Sequence, residues 1–283
     1  MDTAVWNETE FMHITARPLS GTLGAEIGGV DLSRPIEDQV FAEVREAFHR
    51  HLVIVMRGQR IEPEHLVAFT EKFGSAEPHP LGSRRGLGDH PNVMVLENKP
   101  GKPGPRNDFW HSDISFDDVP PLGSILYAIE VTEGRADTMF CNMYEAYEGL
   151  SAGLKSVLDG MTAQHSAEKL VQEVPNRLSV DVSPPSVTHP VVPPPPGTGR
   201  KALYVNPHYT LNFTGWTPEE SRPLLDMLTA RATRPENVFR HHWRAGDVLM
   251  WDNRCAMHYA VRDYDDPMPR LMSRTTAAGD RPY

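Results

Sequence analysis

Four short apolar runs crowd the last third of the 283-residue sequence: FRHHWRAG, DVLMWDN, AMHYAV and RLMSRTT. Their branched and aromatic residues read as strands, and strands at such short intervals argue against an alternating parallel α/β fold. The same signature recurs upstream. ITARPLSGTLGAEIGGVDL predicts short strands joined by turns, LVIVMRG a buried strand, GSILYAIEV and DTMFCNM two more, and VTHPVV and KALYVN a strand pair flanking the turn PPPPGTG. Between Ser75 and Pro105 only VMVLE reads as strand, so most of that stretch is expected as loop. Helices are inserted among the strands. In PIEDQVFAEVREAFHRH, Val40, Phe41, Val44, Ala47 and Phe48 recur at helical spacing; EPEHLVAFTEKFG starts on acidic residues and is expected to end on a Gly74 C-cap. YEAYEGLSAGLKSVLDG carries the stripe Tyr147, Leu150, Leu154 and Leu158. TPEESRPLLDMLTARATR opens with Thr217 as N-cap, Pro218 at the first helical position and Glu220 closing a capping box. The expectation is an α+β chain with a mainly β core, a jelly roll with flanking and inserted helices. One domain over residues 1–283 is expected, with elaborate connections to match 26 prolines and a lid-like insertion at about 167–186.

A formal charge of −10 and the lack of any long Lys/Arg run argue against nucleic acid as a partner. An anionic small molecule would then need local arginines. No apolar stretch is long enough for a membrane span, and MDTAVWNETEFMHI lacks the regions of a signal peptide, so the cytoplasm is the expected compartment. Cys141 and Cys255 fit no zinc or disulfide pattern and are expected as buried apolar residues.

The segment FWHSDISF carries a histidine and an aspartate two apart, and in an extended chain His111 and Asp113 would share one face. With 13 histidines in the chain, a His-x-Asp pair arises by chance, so the pair alone does not establish a metal site. Non-haem iron centres that activate dioxygen use two histidines and one carboxylate, which leaves positions open for co-substrate and oxygen. His258 in WDNRCAMHYAV is the candidate third ligand. In RLMSR, Arg270 and Arg274 fall on one face of an extended segment, a pairing that suits a dicarboxylate because guanidinium binds carboxylate as a rigid two-pronged donor. His49 and His51 are discounted as a rival pair, since residues two apart on a helix do not share a face. Adjacent His241 and His242 would point to opposite sides of a strand.

The order of His111, Asp113, Thr138 in GRADTMF, His258 and Arg270 resembles the taurine dioxygenase family of Fe(II)- and 2-oxoglutarate-dependent dioxygenases. The likeness spans nearly the whole chain and includes WHSDISF followed by PP, AYEGLS, GRKALYVN and GDVLMWDNR. It implies a double-stranded β-helix in which His111, Asp113 and His258 ligate Fe(II). It also implies that Thr138 and Arg270 hold the distal carboxylate of 2-oxoglutarate, and that Arg274 lies near its metal-bound end and an anionic substrate group. The implied reaction consumes O2, converts 2-oxoglutarate to succinate and CO2, and hydroxylates an aliphatic carbon of a small organic anion. A carbon bearing sulfonate, sulfate or aryloxy oxygen would then release that anion and leave a carbonyl.

For a sulfonate like taurine, the resemblance implies contacts from His79 in EPHP and Asn107 in PRNDFWHSD, with Tyr209 in VNPHYT as an aromatic wall. Where the taurine enzymes have a tyrosine three residues after that histidine, this chain has Gly82. A sulfonate is the first expectation; an alkyl sulfate ester or an aryloxyalkanoate uses the same chemistry. Family likeness also implies a homo-oligomer, dimer or tetramer. Two other classes stay open on the residues themselves: a zinc-dependent hydrolase, which needs no second carboxylate site, and a jelly-roll binding module without turnover.

Overall fold

The strand Val53–Met56 is buried at every position. Side chains alternate in direction along a strand, so full burial requires apolar material on both faces. That demand organises the molecule, whose computed structural model describes residues 11–78, 86–87, 89–99, 107–173, 186–264 and 268–283. In chain order the elements are β1 (Thr15–Pro18), β2 (Ala25–Gly28), α1 (Asp38–His51), β3 (Val53–Met56), α2 (Pro63–Glu71), β4 (Gly86–Leu87), β5 (His90–Asn98), β6 (Gly123–Glu130) and β7 (Thr138–Asn142). They continue with α3 (Met143–Glu148), α4 (Ala152–Leu158), β8 (Thr162–Ser166), α5 (Glu168–Glu173), β9 (Ser186–Pro190), β10 (Thr210–Phe213), α6 (Pro218–Ala232), β11 (Val238–His241), β12 (Val248–Asp252), β13 (Ala256–Ala260) and β14 (Arg270–Ala277).

Among the described residues the strands form an eight-stranded sheet ordered β1-β2-β3-β12-β6-β14-β5-β4, a three-stranded sheet β11-β7-β13, and a second three-stranded sheet β10-β8-β9. Among the described strands only β2 and β3 pair in parallel, and every other pairing is antiparallel. Alternation divides the large sheet's side chains between two cores. Ile54, Met56, Ile125, Val248 and Met250 join Val44, Ala47 and Phe48 of α1 and Leu66 and Phe69 of α2. Val53, Val55, Leu126, Leu249 and Trp251 join Phe140, Cys141 and Met257 of the small sheet. The large sheet therefore has helices on one face and the β11-β7-β13 sheet on the other. Burying a side chain the size of Phe48 stabilises this arrangement by roughly 1.5–3 kcal/mol. Gly123 lets β6 approach β12 closely, since a Cβ there would stand 2.7 Å from the Trp251 carbonyl oxygen.

Most expected elements are present, and the Thr217–Glu220 capping box forms in both directions at the start of α6. Both cysteines are buried and free. Three expectations are corrected. YEAYEGLSAGLKSVLDG is two helices, because Gly149 ends α3 and the Ser151 hydroxyl caps α4 by accepting from Leu154 N. KALYVN, buried from Ala202 to Asn206, is not a strand: Leu203 N donates to Met143 O and Tyr204 N to Val191 O, which spends its backbone donors outside any ladder. Helix α2 ends at Glu71 with Lys72 as its C-cap, not on a Gly74 C-cap; Gly74 instead permits a close pass, since a Cβ there would lie 2.7 Å from Ala278 O.

The expected lid begins with α5, and residues 174–185 lie outside the described residues. Much of the expected loop between Ser75 and Pro105 is also outside them, although VMVLE is the heart of β5. Among the described residues no helix is long and apolar enough to cross a membrane.

One buried histidine makes stability depend on pH. His165 on β8 is fully buried beside Tyr204 and His189, and burial pushes its pKa down to about 3. Between the ordinary value of 6.5 and 3 the unfolded chain binds a proton that the folded chain does not. Stability is thus complete above 6.5 and lost as pH falls towards 3, by an amount on the order of a few kcal/mol. His51, lowered to about 4 by burial, acts in the same direction. Thermal unfolding measured from pH 7 to pH 4 should give a steadily falling midpoint, and His165→Phe should flatten that slope; an unchanged slope would assign the acid sensitivity elsewhere.

Candidate metal centre

Two backbone hydrogen bonds join the remote segments of the site. His111 N donates to His258 O at 3.1 Å and His258 N donates to His111 O at 2.8 Å, an isolated antiparallel bridge. FWHSDISF is thus not the extended strand expected from its sequence. It makes one bridge at His111 and then turns, with Ile114 in the left-handed region at φ 53° and Asp117 N donating to Ile114 O. That conformation is unfavourable for a β-branched residue, and here it turns the chain directly after Asp113.

The bridge sets His258 beside His111, and one candidate ligand atom from each of His111, Asp113 and His258 lies within 4.8 Å of the others. Oδ1 of Asp113 is 3.8 Å from Nε2 of both histidines. All three residues are buried. Nδ1 of His111 donates to Phe109 O at 2.8 Å, since a carbonyl oxygen can only accept, and Nε2 therefore carries the lone pair that a metal needs. His258 packs between Trp251 and Phe140, and its Nδ1 is enclosed without a partner. Burial holds the pKa of both imidazoles below the ordinary value. Burial alone would raise the Asp113 carboxyl, but Arg274 at 2.7 Å, with the two histidines and Ser124, holds it well below the usual carboxylate range. Two neutral imidazoles and one carboxylate with converging acceptor atoms are a donor set that fits a divalent cation with open positions.

The residues assigned to the keto diacid also fit. Thr138 starts β7, opposite Ala260 of β13, two residues past His258. Its Oγ1 accepts from Trp243 Nε1 at 3.0 Å, which leaves the hydroxyl proton free to be given to a carboxylate. Arg270 and Arg274 share a face of β14, whose pairing with β5 runs without interruption between them. Arg270 is half-buried overall, yet its Nε is enclosed without a hydrogen-bond partner, and burial holds its guanidinium below the usual arginine value. Arg274 is committed through Nη2 to Asp113 and Ser124, while its Nε is likewise enclosed without a partner. Enclosed donors without partners are costly unless a ligand completes them.

Of the expected substrate contacts, Tyr209 stands edge-on to the His111 ring at 6.0 Å between centroids. Asn107 is tied to β13 through Ala260 N, which donates to Asn107 O. His79 lies outside the described residues, as does Gly82. Sequence reasoning missed His208, whose ring stacks on Phe109 at 3.5 Å and whose pKa burial pushes down to about 3. It also missed Ser124 and Asn253, which hold Asp113 and sit in runs that read simply as strand and turn. The discounted pairs stay apart: His51 is buried and His49 half-buried at the end of α1, while His241 is buried and His242 is exposed.

A family model described as taurine catabolism dioxygenase TauD, TfdA family matches residues 15–276. The chain belongs to that family. An alkylsulfatase of Acinetobacter baylyi is 35% identical over 291 aligned positions, covering 99% of this chain and 89% of the relative. An alpha-ketoglutarate-dependent 2,4-dichlorophenoxyacetate dioxygenase of Cupriavidus pinatubonensis is 32% identical, covering 95% of this chain and 99% of the relative. The crystal structure of a taurine dioxygenase from Burkholderia xenovorans superposes with a TM-score of 0.82 at 34% identity, covering 95% of this chain and 91% of that one.

Proposed function

We propose that this family member oxidises an alkyl sulfate ester at the carbon bearing the ester oxygen, releasing sulfate and an aldehyde. The reaction class is that of a 2-oxoglutarate-dependent dioxygenase using Fe(II), 2-oxoglutarate and O2. In this reading His111, Asp113 and His258 hold the iron, Thr138 and Arg270 take the distal carboxylate of 2-oxoglutarate, and the free edge of Arg274 faces an anionic group. When bound, iron and 2-oxoglutarate activate dioxygen, placing one oxygen atom in succinate and the other on the substrate carbon. The hydroxylated ester R–CH(OH)–OSO3⁻ then loses bisulfate and becomes R–CHO without further help. The protein's own part is to hold the target C–H near the metal and keep water out. The double-stranded β-helix is the fold we assign to the two facing sheets, and residues 1–283 are taken as one domain.

The observation that carries the substrate choice is the apolar cluster that begins one residue after Asp113. Ile114, Phe116, Ala167 and Tyr209, with Leu170 against them, form a small core beside the metal residues, separate from the two main ones. Leu170, only partly buried, offers apolar contact beside this cluster, where an alkyl tail gains roughly 0.8 kcal/mol per methylene it buries and a two-carbon ammonium sulfonate gains little. The likeness to the alkylsulfatase supports the same choice, which moves the preference from a sulfonate to a sulfate ester. Asn107, His79 and Tyr209 remain the proposed contacts for the bound anion, and a dimer or tetramer, read by sedimentation velocity, the proposed assembly.

Hexyl sulfate, taurine and 2,4-dichlorophenoxyacetate should be compared with Fe(II), 2-oxoglutarate and O2 present. We expect sulfate and aldehyde in step with succinate, and kcat/KM for hexyl sulfate at least about 100-fold above that for taurine, the effect of some 3 kcal/mol of apolar contact. Preferred release of sulfite or phenol would overturn the substrate choice. Sulfate released with an alcohol and without succinate would indicate zinc-type hydrolysis, and no product from any substrate would indicate a binding module.

A further inference from the structure

Two oxygens of one carboxylate are treated differently at this site. Oδ1 of Asp113 faces both histidine Nε2 atoms, whereas Oδ2 accepts from Arg274 Nη2 at 2.7 Å and from Ser124 Oγ at 2.8 Å. We propose that Trp251, Asn253 and Ser124 form a one-way chain of hydrogen-bond donors that reserves Oδ2 and leaves Oδ1 alone for the metal.

The direction of the chain follows from what each group can donate. Indole Nε1–H is only a donor, and Trp251 Nε1 lies 2.9 Å from the Asn253 side chain, so the atom facing it is the amide oxygen. The amide nitrogen must then face Ser124, where Nδ2 donates to Oγ at 3.2 Å. Arg274 Nη2, which cannot accept, donates to the same Oγ at 2.9 Å. Both lone pairs of the Ser124 hydroxyl are thus occupied by donors. Its single proton has one acceptor left, Oδ2 of Asp113. The Asn253 oxygen also receives Asp113 N at 3.4 Å, so the same amide steadies the backbone of the residue it helps to aim. Ser124 is fully buried and Asn253 is 1% exposed, so water does not substitute for either.

A carboxylate with both oxygens free can grip a metal with both and fill a position that the co-substrate needs; one oxygen held by hydrogen bonds favours single-atom ligation. Ser124 and Asn253 are on this account positioning residues, acting through Asp113. The inference rests on His111, Asp113 and His258 being the metal residues, and the test separates the two ideas.

Mn(II) is titrated into the wild type, Ser124→Ala, Asn253→Ala, the double variant and Asp113→Ala, with free Mn(II) read by electron paramagnetic resonance. Each single variant of the chain should weaken Mn(II) binding about 10-fold. Because Asn253 acts chiefly through Ser124, its 3.4 Å contact with Asp113 N being long for a hydrogen bond, the double variant should be weakened by no more than about twice the effect of Ser124→Ala, whereas independent structural roles would multiply to about 100-fold. Wild-type affinity in Ser124→Ala, or multiplied losses in the double variant, overturns the donor chain. Wild-type affinity in Asp113→Ala overturns the metal assignment instead. Circular dichroism checks folding. Should Ser124→Ala not fold, Asn253→Ala decides alone, with a 10-fold loss expected and no loss overturning the proposal.

Discussion

Asp113→Ala is expected to abolish Fe(II) binding and to lower turnover by at least about 1000-fold, the equivalent of ~4 kcal/mol in the barrier. Two losses combine. The metal loses its only anionic ligand among the three, and Arg274 is left buried with a charge that nothing answers. Removing one partner of a buried ion pair typically costs about 3–5 kcal/mol, so the metal-free variant should also unfold well below the wild type. Asp113→Asn keeps the shape but not the charge and should show the same loss of metal with a similar penalty from Arg274. Metal content after anaerobic loading and thermal unfolding of the metal-free protein are the two measurements. A variant that keeps one equivalent of iron would show that the carboxylate of Asp113 is not a ligand.

Arg270→Met should act on function and stability in opposite directions. With its Nε enclosed and unpartnered, Arg270 destabilises the ligand-free protein. Replacement by an apolar side chain of similar length should therefore raise the unfolding midpoint of the ligand-free protein. On the proposed assignment of Arg270, the same change removes a charge-assisted contact to 2-oxoglutarate and should raise its KM by about 100- to 1000-fold, or roughly 3–4 kcal/mol. Arg270→Lys should recover little of this, because an ammonium offers a point charge where a planar fork is needed. A KM within threefold of the wild type in Arg270→Met would remove Arg270 from the co-substrate site.

The strand-rich core was legible because apolar alternation and turn chemistry are local: β3, β12, β13 and β14 stand where their runs predict them. The metal trio was legible in identity, but the bridge that joins its two remote segments was not. His111 and Asp113 were expected in a strand; only a single bridge to His258 forms there, and the chain turns directly after Asp113 through a left-handed Ile114 that no pattern in HSDI announces. Ser124 and Asn253 were invisible because a buried serine in a strand and an asparagine after WD have many uses. Only the spatial meeting of β6, the β12–β13 turn and the Asp113 segment reveals theirs. KALYVN misled because β-branched and aromatic residues suit any buried extended chain, with or without a ladder partner.

The place of β14 in the large sheet has a consequence for synthesis. The last of the described strands, β14, sits in the middle, between β6 and β5, and β12, another late strand, fills the other side of β6. A nascent chain that has reached residue 260 already carries both imidazoles and the carboxylate, but β6 still has one open edge and no guanidinium to neutralise Asp113. Such pairings between distant parts of the chain form slowly. Closure of the sheet and completion of the cation pocket are therefore one late event, and a protein cut short before Arg270 would expose an adhesive strand edge.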